Sequence, residues 1–167
     1  MIQSMQHLWA PWRMAYVGGH PEPGCLFCRV REAGPEHDAE NLVVWRGPEA
    51  LVMLNRFPYN SGHVLVAPRA HVGDLTDLGD PESLALIQAL RRALGVLREV
   101  MSPEGFNVGA NLGRVAGAGI PDHVHLHAVP RWDGDTNFLP VLGEVKVINE
   151  HLQRTWEKVA AAFSAAG

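Results

Sequence analysis

The apolar pattern of the chain sharpens at Leu42. From there Leu42-Val43-Val44-Trp45, Ala50-Leu51-Val52-Met53-Leu54 and His63-Val64-Leu65-Val66-Ala67-Pro68 form short runs rich in Val and Leu. Turn-forming residues separate them at Gly47-Pro48 and at Pro58-Tyr59-Asn60-Ser61-Gly62. Runs of this length between such turns predict a three-stranded antiparallel meander. The period then lengthens. Asp80 as N-cap, Pro81 at the first helical position and Glu82 in the first turn precede apolar Leu86, Leu90, Leu94, Leu97 and Met101, which share one helical face. That helix stops near Pro103-Glu104-Gly105. Beyond it, Phe106 to Gly113 and His123 to Trp132 read as two further strands, flanking a glycine-rich loop from Gly113 to Gly119. A second helix is expected over residues 148–162.

Helices do not alternate with every strand, so the predicted class is α+β rather than a doubly wound parallel sheet. Its expected form is a five-stranded antiparallel sheet with one long helix inserted between strands three and four and a C-terminal helix. Residues 1–40 are expected to form an arm, irregular to about Pro35, and residues 41–167 the main domain, the whole being one globular unit. Composition agrees with a folded, soluble chain: 47% of residues are hydrophobic and 19% charged. The net charge of -4 is spread without blocks, which excludes an electrostatic footprint for duplex nucleic acid and leaves room for a small phosphorylated ligand. The opening MIQSMQHLWAPWRMAY has no basic-then-apolar signal pattern, and no apolar run approaches the roughly 20 residues that span a bilayer. The expectation is a cytoplasmic protein without a membrane partner.

Candidate chemistry concentrates in His123-Val124-His125-Leu126-His127. Residues two apart on a strand share a face, so three imidazoles line one side while Val124, Leu126 and Ala128 turn to the core. Isolated histidines such as His7, His20, His37 and His151 need no special role, but three aligned imidazoles have little structural use and repel when protonated. Immediately before them, the closely spaced glycines of Gly113-Arg114-Val115-Ala116-Gly117-Ala118-Gly119 allow backbone N–H groups to turn toward an anion. An imidazole beside a bound phosphate can attack phosphorus, and a second can hand a proton to the departing oxygen. Both cysteines, Cys25 and Cys28, sit in one Cys-x-x-Cys cluster. In a reducing compartment this spacing reads as metal binding, as reduced thiols in the core or as redox chemistry, the last lacking a supporting βαβ pattern. Trp9, Trp12 and Trp132 could stack on bases or serve as packing anchors.

Taken together, Asn107-x-x-x-Asn111-x-Gly113, the glycine-rich loop and the His-φ-His-φ-His-φ-φ strand resemble the histidine-triad superfamily of nucleotide hydrolases and transferases. So does Asn55-x-x-Pro58-x-x-x-Gly62-His63-x-Leu65-Val66-x-Pro68. Leu8 to Tyr16, Gly105 to Gly113 and the His127 to Phe138 segment look like the bacterial branch that includes diadenosine tetraphosphate phosphorylases. Gly119-Ile120-Pro121-Asp122 departs from the Gly-Gln-Ser-Val type of the commoner triad hydrolases, so leaving-group contacts do not carry over.

The resemblance implies a ping-pong reaction in which His125 attacks the α-phosphate of an adenine dinucleoside polyphosphate and water or inorganic phosphate releases the nucleotide. His127 would contact phosphate and assist proton transfer, with His123 and His63 holding neighbouring groups. Asn55 would meet the ribose, Asn111 would support the triad or the phosphates, and Gly117 and Gly119 would contact substrate. It further implies a structural zinc held by Cys25, Cys28, His71 and His123, whose loss would lower stability more than chemistry, no organic cofactor, and a homodimer joined edge to edge. The rival readings are an adenosine 5′-phosphoramidase, a non-catalytic nucleotide-binding module, and a metal-dependent hydrolase, for which the triad offers no carboxylate beyond Asp122.

Overall fold

The computed structural model describes residues 24–136 and 150–166. Five strands form one sheet: β1 (Val43–Arg46), β2 (Ala50–Leu54), β3 (Val64–Pro68), β4 (Gly105–Gly109) and β5 (Leu126–Arg131). Their spatial order is β1-β2-β3-β5-β4, and every neighbouring pair is antiparallel. The helices are α1 (Leu26–Glu32), the single turn α2 (Asp38–Asn41), the long α3 (Asp80–Met101) between β3 and β4, and α4 (Leu152–Ala165). This is the predicted five-stranded antiparallel α+β architecture with its inserted helix.

The sheet is covered on both faces, and alternation along the strands decides which residues serve which face. Val52, Leu54, Val64, Val66, Leu126 and Ala128 meet Leu86, Ala93 and Leu97 of α3 and Val159 and Phe163 of α4 in the larger aliphatic core. Leu51, Met53, Leu65 and Ala67 point the other way and pack with Phe27 and Val30 of α1. Each Val, Leu, Met or Phe side chain among them contributes roughly 1.5–3 kcal/mol when buried.

Several boundaries differ from the sequence reading. The segment read as an irregular arm contains α1, because Phe27 and Val30, three residues apart, place two apolar side chains on one face against the sheet. Gly79 rather than Asp80 is the N-cap of α3; Asp80 and Glu82 lie in the first turn, where carboxylates favour the helix dipole. β4 ends at Gly109, so 110–113 belong to the loop. β5 begins at Leu126, and His123 and His125 precede the ladder: the Val124 N–H donates instead to Val72 O at 2.7 Å. α4 begins at Leu152 because His151 caps it, its ring nitrogen accepting the Gln153 N–H. Residue 148, the expected start of that helix, falls outside the described residues, as do Trp9 and Trp12.

Candidate active site and metal centre

β3, β5 and α1 converge on the smaller face of the sheet, and the histidines lie there. On β5, His127 stands opposite Leu65 of β3 and Gly109 of β4. His63 enters from the turn ahead of β3. That turn closes through Asn55 N–H to His63 O at 2.8 Å and needs Gly62 at φ +74°, where a Cβ would sit 2.4 Å from Met101 Sδ. His63, His123 and His125 are buried, and His127 is half-buried.

Fixed donors and acceptors determine the ring tautomers. The Tyr59 backbone N–H donates to His63 Nδ1 at 3.0 Å, and the Asn55 amide approaches the same nitrogen at 3.3 Å. His63 therefore carries its proton on Nε2 and donates it to His127 Nδ1, 3.0 Å away. His127 is left with Nε2–H for a ligand. In His125, Nδ1–H donates to the His123 carbonyl at 3.0 Å, leaving the lone pair on Nε2. The two rings adjoin, with centroids 4.9 Å apart. Burial lowers the pKa of His125 against the opposing effect of the His123 carbonyl. Burial, aided by His125, lowers that of His127 to about 4. Both imidazoles are thus neutral at neutral pH, one offering a lone pair and its neighbour a proton.

A second cluster adjoins the first. One ligand atom from each of Cys25, Cys28, His71 and His123 lies within 4.8 Å of all the others. Cys25 Sγ is 3.2 Å and Cys28 Sγ 3.8 Å from His123 Nδ1, Cys28 Sγ is 3.4 Å from His71 Nδ1, and the two Nδ1 atoms are 3.4 Å apart. Two thiolates and two imidazoles around zinc, at about 2.3 and 2.0 Å and the tetrahedral angle, stand about 3.3–3.8 Å from one another. The four separations of 3.2–3.8 Å match that spacing. His123 Nε2–H donates to Pro68 O at 2.9 Å, which fixes its tautomer and turns the Nδ1 lone pair toward the cysteines.

The remaining predicted residues are placed less closely. Asn55 donates to His63 and accepts the Phe57 N–H at 3.0 Å, holding the turn together. Asn111 donates to Gly117 O at 3.4 Å, bracing the glycine-rich loop, in which Gly117 has φ +90° and both Gly117 and Gly119 are exposed. No hydrogen bond joins Gly119 to the histidines among the described residues. Trp132 donates its indole N–H to Ser102 O at the end of α3. Sequence reasoning missed Tyr59, whose ring also stacks on His127 at 5.9 Å, and Phe27, whose ring lies 4.9 Å from His123 and 5.1 Å from His125. Their signal was slight: an aromatic four residues before His63, and one between the two cysteines. A cavity of about 470 Å³ opens elsewhere, between Asn60, Trp132, Asp135 and Lys158, with no triad histidine in its lining.

Comparison with known proteins adds an independent line. The family model described as HIT domain matches residues 36–134. A protein named AP-4-A phosphorylase from Mycobacterium tuberculosis is 39% identical over 96% of this chain and 85% of its own length. An adenosine 5′-monophosphoramidase from Schizosaccharomyces pombe is 30% identical over 64% of this chain and 74% of its own. Among solved structures, a zinc-bound histidine triad family protein from Mycobacterium smegmatis superposes with TM-score 0.66 at 28% identity, covering 86% of this chain and 95% of its own.

Proposed function

The chain belongs to the HIT family, and from that premise we propose that it is a nucleotidyl hydrolase or transferase cleaving adenine dinucleoside polyphosphates through a nucleotide–His125 intermediate. The observation that carries this reading is the pairing of opposite tautomers, with Nε2 of His125 bearing a lone pair beside a His127 whose Nε2 bears a proton. His125 Nε2 attacks the α-phosphorus, a P–N bond forms and the bond to the bridging oxygen breaks. The His127 N–H hydrogen-bonds the oxygen on which charge gathers. In the second half-reaction an oxygen of inorganic phosphate attacks the same phosphorus, the P–N bond breaks and His125 recovers its lone pair. With diadenosine tetraphosphate the products are ATP, then ADP.

Phosphate is preferred over water as second acceptor on the strength of the Mycobacterium tuberculosis relative named a phosphorylase. The Schizosaccharomyces pombe relative favours adenosine 5′-phosphoramidates as the second substrate class. Product analysis with diadenosine tetraphosphate, with and without phosphate, decides: ADP plus ATP only with phosphate is expected. AMP plus ATP without phosphate would make the protein a hydrolase, and no cleavage would move the phosphoramidates to first place.

We assign zinc to Cys25, Cys28, His71 and His123, supported by the shape of the cluster and the zinc-bound relative. When bound, zinc would crosslink the α1 segment to the triad segment. We further read the protein as a homodimer joined through β4. Among the described residues that strand is a sheet edge, with Val108 47% exposed, whereas α4 lies across β1 and donates the Trp156 indole N–H to Val43 O. No helix among the described residues is long and apolar enough to cross a membrane. Two unpaired thiols suit a reducing cytoplasm.

A further inference from the structure

We propose that Phe27, the aromatic residue between the two cysteines, is a positioning residue for His125, so that the metal-binding knuckle sets the aim of the nucleophile as well as holding the fold together. The proposal rests on the reading of His125 as nucleophile.

Three contacts carry it. Phe27 lies in α1 one residue before Cys28 and two after Cys25, so any atom that gathers the two thiols also fixes the origin of its side chain. Its ring, 1% exposed, packs against His123 at 4.9 Å and a 48° tilt and against His125 at 5.1 Å and 47°. His123 is common to both ends of the device: its Nδ1 faces the cysteines, and its carbonyl accepts the Nδ1–H of His125.

A single hydrogen bond is a hinge rather than a clamp, and the His125 ring makes one among the described residues. What prevents it from swinging about that bond is packing, with Phe27 at 5.1 Å and His127 at 4.9 Å. His125 is only 5% exposed, and the Phe27 ring is one of the groups packed against it. Removing the ring opens a space beside the imidazole. Water then competes with the His123 carbonyl, the proton redistributes between Nδ1 and Nε2, and each His125 protonated on Nε2 has no lone pair to aim at phosphorus. Small errors of aim at a reacting centre are costly, on the order of a hundredfold for about 1 Å.

The knuckle is therefore expected to matter for chemistry as well as for stability. The test uses Phe27→Leu, which retains most of the volume, and Phe27→Ala. For each, zinc content per chain, long-range ¹⁵N spectra of the His125 ring without substrate, and kcat and KM with diadenosine tetraphosphate are measured. The expected result is unchanged zinc content, a His125 spectrum moving from the pure Nδ1–H form in wild type to a mixture, and kcat falling on the order of tenfold to a hundredfold with KM nearly constant. Phe27→Leu should lie between wild type and Phe27→Ala. A pure Nδ1–H spectrum in folded, zinc-loaded Phe27→Ala overturns the proposal, and so does a loss of kcat that tracks zinc content alone. The spectra need no turnover, so inactivity of wild type on the dinucleotide would fault the substrate reading and leave the positioning claim to be judged by the ring itself.

Discussion

The two faces of the sheet are built from the same strands and do different work. On the α3 and α4 side, Val52, Leu54, Val64, Val66, Leu126 and Ala128 contribute aliphatic carbon to one large core. On the α1 side, the intervening positions combine Leu51, Met53, Leu65 and Ala67 with His63, His125 and His127. The first face is stabilised by close-packed apolar burial, with no polar ring to satisfy. In the second, every buried ring nitrogen with a partner has a specific one, because a polar group buried without one costs about 1–3 kcal/mol. Changes on the first face should therefore cost stability, whereas changes to the triad histidines on the second should cost chemistry.

The largest expected effect breaks the comparison at the second face. His125→Ala should lower turnover at least about a thousandfold, with the melting temperature nearly unchanged, as read from paired kinetic and thermal assays. Next comes the metal cluster. Cys25→Ser should lose zinc by elemental analysis and melt at lower temperature, a bound ion at a thousandfold excess over its Kd being worth about 4 kcal/mol. Equal metal content and equal melting temperature would remove the site. On the first face, Leu97→Ala, fully buried on α3, should cost about 2–5 kcal/mol in urea unfolding and leave kcat of the folded enzyme within about twofold.

The smallest effect concerns protons. His127 is held near pKa 4 by burial and by His125, against 6.5 in the unfolded chain. The groups facing it are His63, His125 and the Tyr59 ring. Between pH 6.5 and 4 the unfolded chain binds the extra proton, so this contribution is complete above the upper value and is lost as the pH falls. Its slope is at most about 1.4 kcal/mol per pH unit. Urea unfolding at about pH 7 and about pH 5 should show a smaller loss for His127→Gln than for wild type; an equal loss would mean that His127 titrates normally.

The first face was largely legible in the sequence. Ala50–Leu54 and Val64–Pro68 stand out as short apolar runs between turns, and Leu86, Leu90, Leu94 and Leu97 carry a helical period, so local pattern and global packing coincide. The second face was legible in its residue types but not in its wiring. The histidine spacing announced a shared face, yet His123 and His125 precede β5, where backbone carbonyls of Pro68 and His123 take the ring protons. Carbonyl positions leave no mark in residue identity. α1 was hidden for another reason: its seven residues carry only two buried apolar side chains, Phe27 and Val30, too few to establish a period.

The most direct test of the central claim is rapid quench of the enzyme with diadenosine tetraphosphate in the absence of phosphate, followed by intact-mass and peptide analysis. One AMP moiety per chain is expected, bound to His125, released as ADP when phosphate is added, and absent from His125→Ala. Turnover without an adduct, or an adduct on any other residue, would contradict it.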